Sequence, residues 1–427
     1  MRLPGRLAAA IEVLTQVDER HRPVSEALKS WGIANRFAGA GDRAAIGNLV
    51  YDALRRRASH GWTMGADTPR ALVLCVAVRD WGESVEALAA SFLEDAHAPA
   101  PVGAEEMARL LGEPPSPAPD YVRADVPEWT VRSLAESFDD DWIAEGEAIA
   151  ARPPVDLRVN SLKSSRERVM KSLQRLHPAE TATSPLGVRF PAGVGDSRTP
   201  NVQTDEGFLK GWFEVQDEGS QIVAALTGAA AGEQVLDLCA GAGGKTLAMA
   251  AAMGNHGQVF AHDSDRSRLA PIYDRLKRNG VRNVQVRPPA PDALDDLEKR
   301  MDRVVIDAPC TGTGTWRRRP DTKWKLTPEQ LAARLAEQAK ILDNAVRYLK
   351  PGGTLAYITC SILAEENEGQ MTAFLGRHPE FRPLDPKGLW ASRFPNAALP
   401  RFSELGLTLT PRRNLTDGFF ISLLQRR

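Results

Sequence analysis

The chain has 427 residues, with 54 Lys and Arg against 55 Asp and Glu, 43% apolar residues and four cysteines. This balance excludes a disordered, collagenous or disulfide-stapled protein, and the length implies about two to four domains. A formal net charge of −1 also excludes a protein that coats nucleic acid through bulk positive charge, because such binding rests on displacing counterions with many Lys and Arg.

The opening run, MRLPGRLAAAIEVLTQVDERHRP, is apolar only in short pieces broken by Glu12, Asp18, Glu19 and Arg20. It reads as neither a signal peptide nor a spanning helix, so a cytoplasmic protein without a membrane partner is expected. Cys75, Cys239, Cys310 and Cys360 never form a C-x-x-C pair; no metal site or disulfide framework is readable, and free thiols suit a reducing compartment. Residues 4–92 carry RLAAAIEVLTQV, VSEALKSWGI, DRAAIGNLVYDALRRRASHGWT and TPRALVLCVAVRDW, each with apolar side chains at i, i+3, i+4 and i+7, which predicts a helical domain over 1–93. Seven prolines between Glu94 and Pro127 predict an extended linker over 94–127, interrupted by one short helix around Ala104 to Leu111.

A small α+β module is expected over 128–215: a strand at VDLRVNSL (155–162), a capped helix at SSRERVMKSLQRL (164–176) and a strand at LGVRF (186–190). From about Asp217 the pattern alternates: a helix at SQIVAALTG, the strand EQVLDLCA, a helix from Lys245, the strand QVFAHDS, a helix through RSRLAPIYDRLKRNG, the strands NVQVR and RVVIDAP, the helix TPEQLAARLAEQAKILDNAVRYL and the strand GGTLAYITCS. Short apolar strands alternating with longer helices predict an α/β, Rossmann-like, doubly wound and mostly parallel sheet over 216–427.

Three motifs carry chemistry. In VLDLCAGAGGKT (235–246) a strand runs into a glycine turn that opens a helix, so Cys239, Ala240, Gly241, Ala242, Gly243, Gly244 and Lys245 form a backbone cradle with outward N–H groups. Asp263 follows at the end of the next strand, 26 residues after Asp237, where a carboxylate accepts from ribose hydroxyls. The combination indicates a nucleoside cofactor; the absence of a full G-x-G-x-x-G lowers the case for NAD and favours S-adenosylmethionine (AdoMet). The second and third motifs, VVIDAPCTGTG (304–314) and AYITCS (356–361), each place a cysteine just past a strand's C-terminal end, the edge where open α/β sheets bind ligands. A lone free cysteine is most often a small core hydrophobe; two at equivalent strand ends beside Asp307 indicate a shared crevice. Two thiols and an acid meet the needs of cytosine C5 methylation: a thiolate adds to carbon 6 and makes carbon 5 nucleophilic, and a carboxylic acid supports ring nitrogen 3. Which cysteine attacks is open from the residues alone.

DLCAGAGGKT, DAPCTGTGTWRRRPDTKW, YITCSILAEENE, RVNSL, VQDEGSQ and LTLTPRRNLTDGFF resemble the RNA 5-methylcytosine methyltransferase family called NOL1/NOP2/Sun, over about residues 125–427. The resemblance implies that Cys360 is the nucleophile, that Cys310 assists product release, that residues 239–245 cradle AdoMet with Lys245 also among the catalytic residues, that Asp263 takes the ribose, and that Asp307 faces the methionine end or the target base. Asp292, within RPPAPDAL, stands where the family has an acidic residue for the adenine end. The helical N-terminal part, through Arg6, Ala9, Leu14 and GDRAAIGNLVYDALRRR, is similar to the NusB-like RNA-binding domain of bacterial small-subunit rRNA members, which favours 16S rRNA over tRNA as substrate for a monomer. RNA contacts are expected from Arg158 and Asn160 and from the run Trp316, Arg317, Arg318, Arg319, Lys323, Trp324 and Lys325. The rival readings are the same chemistry on tRNA, a nucleotide-dependent oxidoreductase, and a catalytically silent RNA-binding assembly factor.

Overall fold

The computed structural model describes residues 1–20 and 22–427, which form two compact units: 1–153 with 192–199 and 316–325, and 154–191 with 200–315 and 326–427. The first unit is helical, with helices Leu3–Arg20, Val24–Ala34, Ala40–Arg55, Arg57–Met64, Pro69–Cys75 and Val85–Glu94. Leu7, Ala10, Leu14 and Val17, spaced three and four apart, face Ile46, Leu49, Leu72 and Val76 in one core, as an amphipathic stripe requires. Thr68 and Ser84 accept from the backbone N–H groups of Ala71 and Ala87 and so start two of these helices.

The proline-rich stretch is not the extended linker expected. Ala104–Leu111 is helical as read, but Leu110 lies in the core of the same unit, Trp62 Nε1 donates to Pro115 O at 2.8 Å, and Val122, Ala124 and Val126 are buried. Proline removes a donor and forbids a helix interior, yet leaves its carbonyl and its neighbours' side chains free to pack. Two further helices, Val131–Phe138 and Trp142–Ile149, belong to this unit, so it ends at 153 rather than near 93.

The second unit begins with β1 (Val155–Val159), β2 (Ala179–Glu180), β3 (Gly187–Phe190) and β4 (Phe213–Val215), an antiparallel sheet of order β2-β3-β1-β4. The helix Arg166–Ser172, capped by Ser165, lays Val169 over Leu157, Val188 and Phe213. A larger sheet follows from β5 (Gln234–Asp237), β6 (Gln258–His262), β7 (Val284–Arg287), β8 (Met301–Asp307), β9 (Leu349–Thr359), β10 (Phe381–Pro383), β11 (Arg401–Phe402), β12 (Leu407–Leu409) and β13 (Phe419–Arg426). Its order is β11-β12-β13-β9-β8-β5-β6-β7, with β10 beside β13. The five strands from β7 to β9 run parallel, as the alternating pattern predicts; β13 adds antiparallel to β9, and β10 to β12 are antiparallel as well.

The chain leaves β5 toward β6 and β7, then returns to β8 and β9 on the other side. That reversal between β5 and β8 is the topological switch where open α/β sheets hold ligands. The helix read through 266–280 is divided at Pro271 into Arg266–Leu269 and Ile272–Asn279, because proline cannot donate into a helical ladder. Pro328–Ala345 is the long helix expected, opened by Thr327 and Gln330, whose side chains each accept from the other's backbone N–H.

Candidate active site

The glycine turn follows β5 directly and opens the helix Gly244–Ala252. Gly243 has φ +83°, and a Cβ there would meet Ile272 Cγ1 at 2.6 Å, so only glycine fits. The turn is stitched to β6: Ala240 N donates to His262 O at 2.8 Å and Gly241 N to Asp263 Oδ2 at 2.9 Å. Asp263 is buried at the end of β6, with Oδ1 also accepting from Asp265 N. Asp237, at the end of β5, is fully buried; Oδ2 accepts from Thr246 Oγ1 at 2.6 Å, and Oδ1 has no hydrogen-bond partner. Burial, with the negative charges of Asp307 and Asp263 nearby, pushes its carboxyl up to about 7. Asp292 lies exposed in the turn beyond β7.

The turn reaches the thiol loops through Lys245. Its buried Nζ lies 2.6 Å from Asp307 Oδ2 at the end of β8 and 5.3 Å from the centre of the Phe419 ring. Three residues on, Cys310 Sγ lies 3.4 Å from Cys360 Sγ, which projects just past β9. The hydrogen bond with Cys360 and burial raise the Cys310 thiol well above its ordinary range. Burial likewise raises Cys239, which suits a packed residue of the turn.

What fixes the two sulfurs against each other is a side-chain network that sequence reasoning missed. Glu366, wholly buried, accepts from Thr311 N at 2.9 Å, from Thr311 Oγ1 and from Gln338 Nε2 at 2.9 Å, while Gln338 also donates to Pro309 O. Thr313 Oγ1 and Ser361 Oγ lie 3.0 Å apart, Gly314 N donates to Cys360 O, and Gly418 N to Gly314 O. A Cβ on Gly314 would meet Gly418 O at 2.2 Å. These links join segments distant in sequence, so no local pattern announces them; the acidic pair after TCS, Glu365 and Glu366, is the one visible signal.

The expected RNA contacts are placed differently. Arg158 is buried and donates to Gly244 O at 2.9 Å, supporting the cofactor turn; burial lowers its guanidinium to about 10. Asn160, also buried, donates to Gly211 O and Asn279 O. Trp316, Arg317 and Lys323 are buried within the helical unit. Lys323 Nζ donates to Arg55 O and Asp125 O, Trp324 Nε1 to Leu54 O, Lys325 Nζ to Arg22 O, and Arg317 O accepts from Arg55 Nε. Burial pushes the Lys323 ammonium down to about 8. These side chains anchor the segment rather than present it to RNA; Arg318 is half-buried, and of the run only Arg319 is exposed.

Residues 224–425 match the family model described as 16S rRNA methyltransferase RsmB/F, and residues 126–192 match the ferredoxin-like domain described for RsmF/B-like methyltransferases. Over these segments the chain belongs to the RsmB/F methyltransferase family. It is 34% identical over 319 residues to the probable ribosomal RNA small subunit methyltransferase B of Synechocystis sp., covering 70% of this chain and 66% of that one. It is 38% identical over 259 residues to ribosomal RNA small subunit methyltransferase B of Citrobacter koseri, covering 60% and 58%. The matches thus span somewhat under two thirds of these relatives' length. Among solved structures, one titled PH0851 superposes with a TM-score of 0.75 at 25% identity over 100% of this chain and 99% of that one, and a methyltransferase homologue from Pyrococcus horikoshii gives 0.59 at 26% over 72% and 98%.

The cofactor of the RsmB/F family is AdoMet, and the residues present fit it. Left-handed Gly241 and Gly243 open the backbone turn, the buried carboxylate of Asp263, the residue expected to take the ribose, lies beside it, and the partnerless Oδ1 of buried Asp237 is an acceptor suited to an ammonium group. Among the described residues no cluster of His, Cys, Asp and Glu has metal-binding geometry, and no helix is long and apolar enough to cross a membrane.

Proposed function

We propose that this chain is an AdoMet-dependent RNA cytosine-5 methyltransferase acting on 16S rRNA. The observation that carries the reading is the 3.4 Å separation of Cys310 Sγ and Cys360 Sγ, three residues beyond the Lys245–Asp307 pair. AdoMet, held by residues 239–245, Asp263 and Asp237, supplies the methyl group. Cys360 adds to carbon 6 of the cytosine, breaking the 5,6 double bond and making carbon 5 electron-rich. Asp307 holds a proton at ring nitrogen 3 as negative charge develops there, with Lys245 Nζ at 2.6 Å as its hydrogen-bond partner. Once carbon 5 carries the methyl, its proton passes to solvent water, the electron pair of that C–H bond re-forms the 5,6 double bond, and the bond from carbon 6 to Sγ breaks, expelling Cys360 as a thiolate. Cys310, whose thiol is raised by the hydrogen bond with Cys360 and by burial, stands 3.4 Å from that sulfur, where it assists the expulsion. A cytosine paired in structured RNA must be flipped out to reach these sulfurs.

The names of the curated relatives support small-subunit rRNA. The helical unit, read as NusB-like, supports the same choice. The test is to incubate the protein with AdoMet and 16S rRNA, then with tRNA, and to digest each product to nucleosides. The reading expects 5-methylcytosine from 16S rRNA; 5-methylcytosine from tRNA alone would move the substrate, and methylation at another base atom would overturn the chemistry.

A further inference from the structure

We propose that a cleft in the helical unit binds a phosphodiester of the RNA backbone, an inference that rests on the RNA reading above. The cleft encloses about 410 Å³ and is lined wholly by that unit. Four arginines and two aspartates line it, a local positive excess in a chain whose net charge is −1.

The charges are unequally committed. Asp52 is fully engaged: it accepts from Arg55 NH1 at 2.8 Å, from Trp81 Nε1 at 3.1 Å and from Arg152 Nε at 2.8 Å. Arg152 also donates to Gly193 O and Gly195 O and so forms a wall. Arg56 is different; its side chain is 50% exposed and meets Asp80 at 3.4 Å, and Asp80 is shared with His60. Arg79 donates only to the carbonyls of Arg109 and Gly112 among the described residues, with no carboxylate against it. Two guanidinium groups therefore stand in the cleft with donors in excess of acceptors. A singly charged phosphodiester with acceptor-only oxygens is the group such forks take. Partly exposed Trp81 in the same wall offers a surface on which a neighbouring base stacks. Of the run 316–325 only Arg319 is exposed, whereas Arg56 and Arg79 of the cleft both are.

The test measures binding of a short fluorescein-labelled single-stranded RNA by anisotropy across a salt series, alongside calorimetric AdoMet binding and thermal melting. Arg56→Gln with Arg79→Gln is expected to weaken RNA binding roughly tenfold or more and to lower the slope of log affinity against log salt by about one for each phosphate no longer neutralised, with AdoMet binding unchanged. Arg56→Lys with Arg79→Lys keeps the charge and is expected to keep most of the slope. An unchanged slope in the Gln variant overturns the proposal, as does an equal loss in the Lys variant, which would make the arginines architectural. As a check free of substitutions, photocrosslinking of 4-thiouridine RNA is expected to label the peptide containing Trp81; labelling confined to other peptides overturns it. If calorimetry shows inorganic phosphate filling the cleft at constant ionic strength while RNA binding ignores the Gln changes, the site takes a free anion and the RNA claim fails. Methyl transfer is assayed separately, so loss of the cleft's role and loss of the methyltransferase reading give different results.

Discussion

The cofactor turn and the thiol loops sit at the same edge of one sheet, yet they are held by different means. The turn after β5 is a backbone device: positive-φ glycines, a Gly243 that tolerates no Cβ against Ile272, and main-chain bonds to β6. The loops after β8 and β9 are a side-chain device, in which Glu366, Gln338, Thr313 and Ser361 tie two distant segments so that Cys310 and Cys360 meet. A backbone device is local in sequence and announces itself; a side-chain device is spread over the chain and does not.

The difference has measurable consequences. Cys360→Ala removes the attacking group and is expected to lower kcat by roughly 10⁴-fold or more, read by transfer of labelled methyl; a modest loss would reassign the nucleophile. Glu366→Gln removes the charge that holds Thr311 and is expected to cost about 2 kcal/mol through a weakened buried network. Its signature is lower kcat with AdoMet binding unchanged by calorimetry; an equal loss of AdoMet affinity would mean the two devices are not separate. Gly243→Ala should do the reverse. Strain at φ +83° and the clash with Ile272 cost about 1–3 kcal/mol, expected as weaker AdoMet binding and a lower melting temperature, while a thiol reagent still finds Cys360 reactive.

Asp237 gives a pH test of the turn. Its folded carboxyl stands at about 7 against an ordinary 3.8, so the folded chain holds a proton that the unfolded chain releases. Stability should therefore fall as pH rises from about 4 to about 7 and level off above that. Asp237→Asn is expected to flatten this slope in denaturant melts at about pH 5 and pH 8. An unaltered slope in the variant would place the proton elsewhere.

The same contrast explains what was legible in the sequence. The parallel strands around VLDL and VVID, the glycine turn and the two Pro-Cys and Thr-Cys motifs were readable because each is a short pattern with one structural solution. The strand FFISLLQR was not placed, since a continuous apolar run carries no alternation to distinguish an added antiparallel strand from a buried helix. The run from Trp316 to Lys325 misled for a further reason. Arg, Lys and Trp are the residues of an RNA-binding loop, but they are also side chains able to reach carbonyls buried far away, and the acceptors here, Arg22 O, Leu54 O and Asp125 O, lie some two hundred to three hundred residues earlier. Composition could not separate the two uses.

The most direct test of the central claim mixes the wild type, Cys310→Ala and Cys360→Ala with labelled AdoMet and 16S rRNA and resolves the proteins under denaturing conditions. Cys310→Ala is expected to accumulate a protein band shifted by covalently bound RNA, and Cys360→Ala to give neither band nor methyl transfer. A shifted band that survives Cys360→Ala, or appears only there, would contradict the central claim.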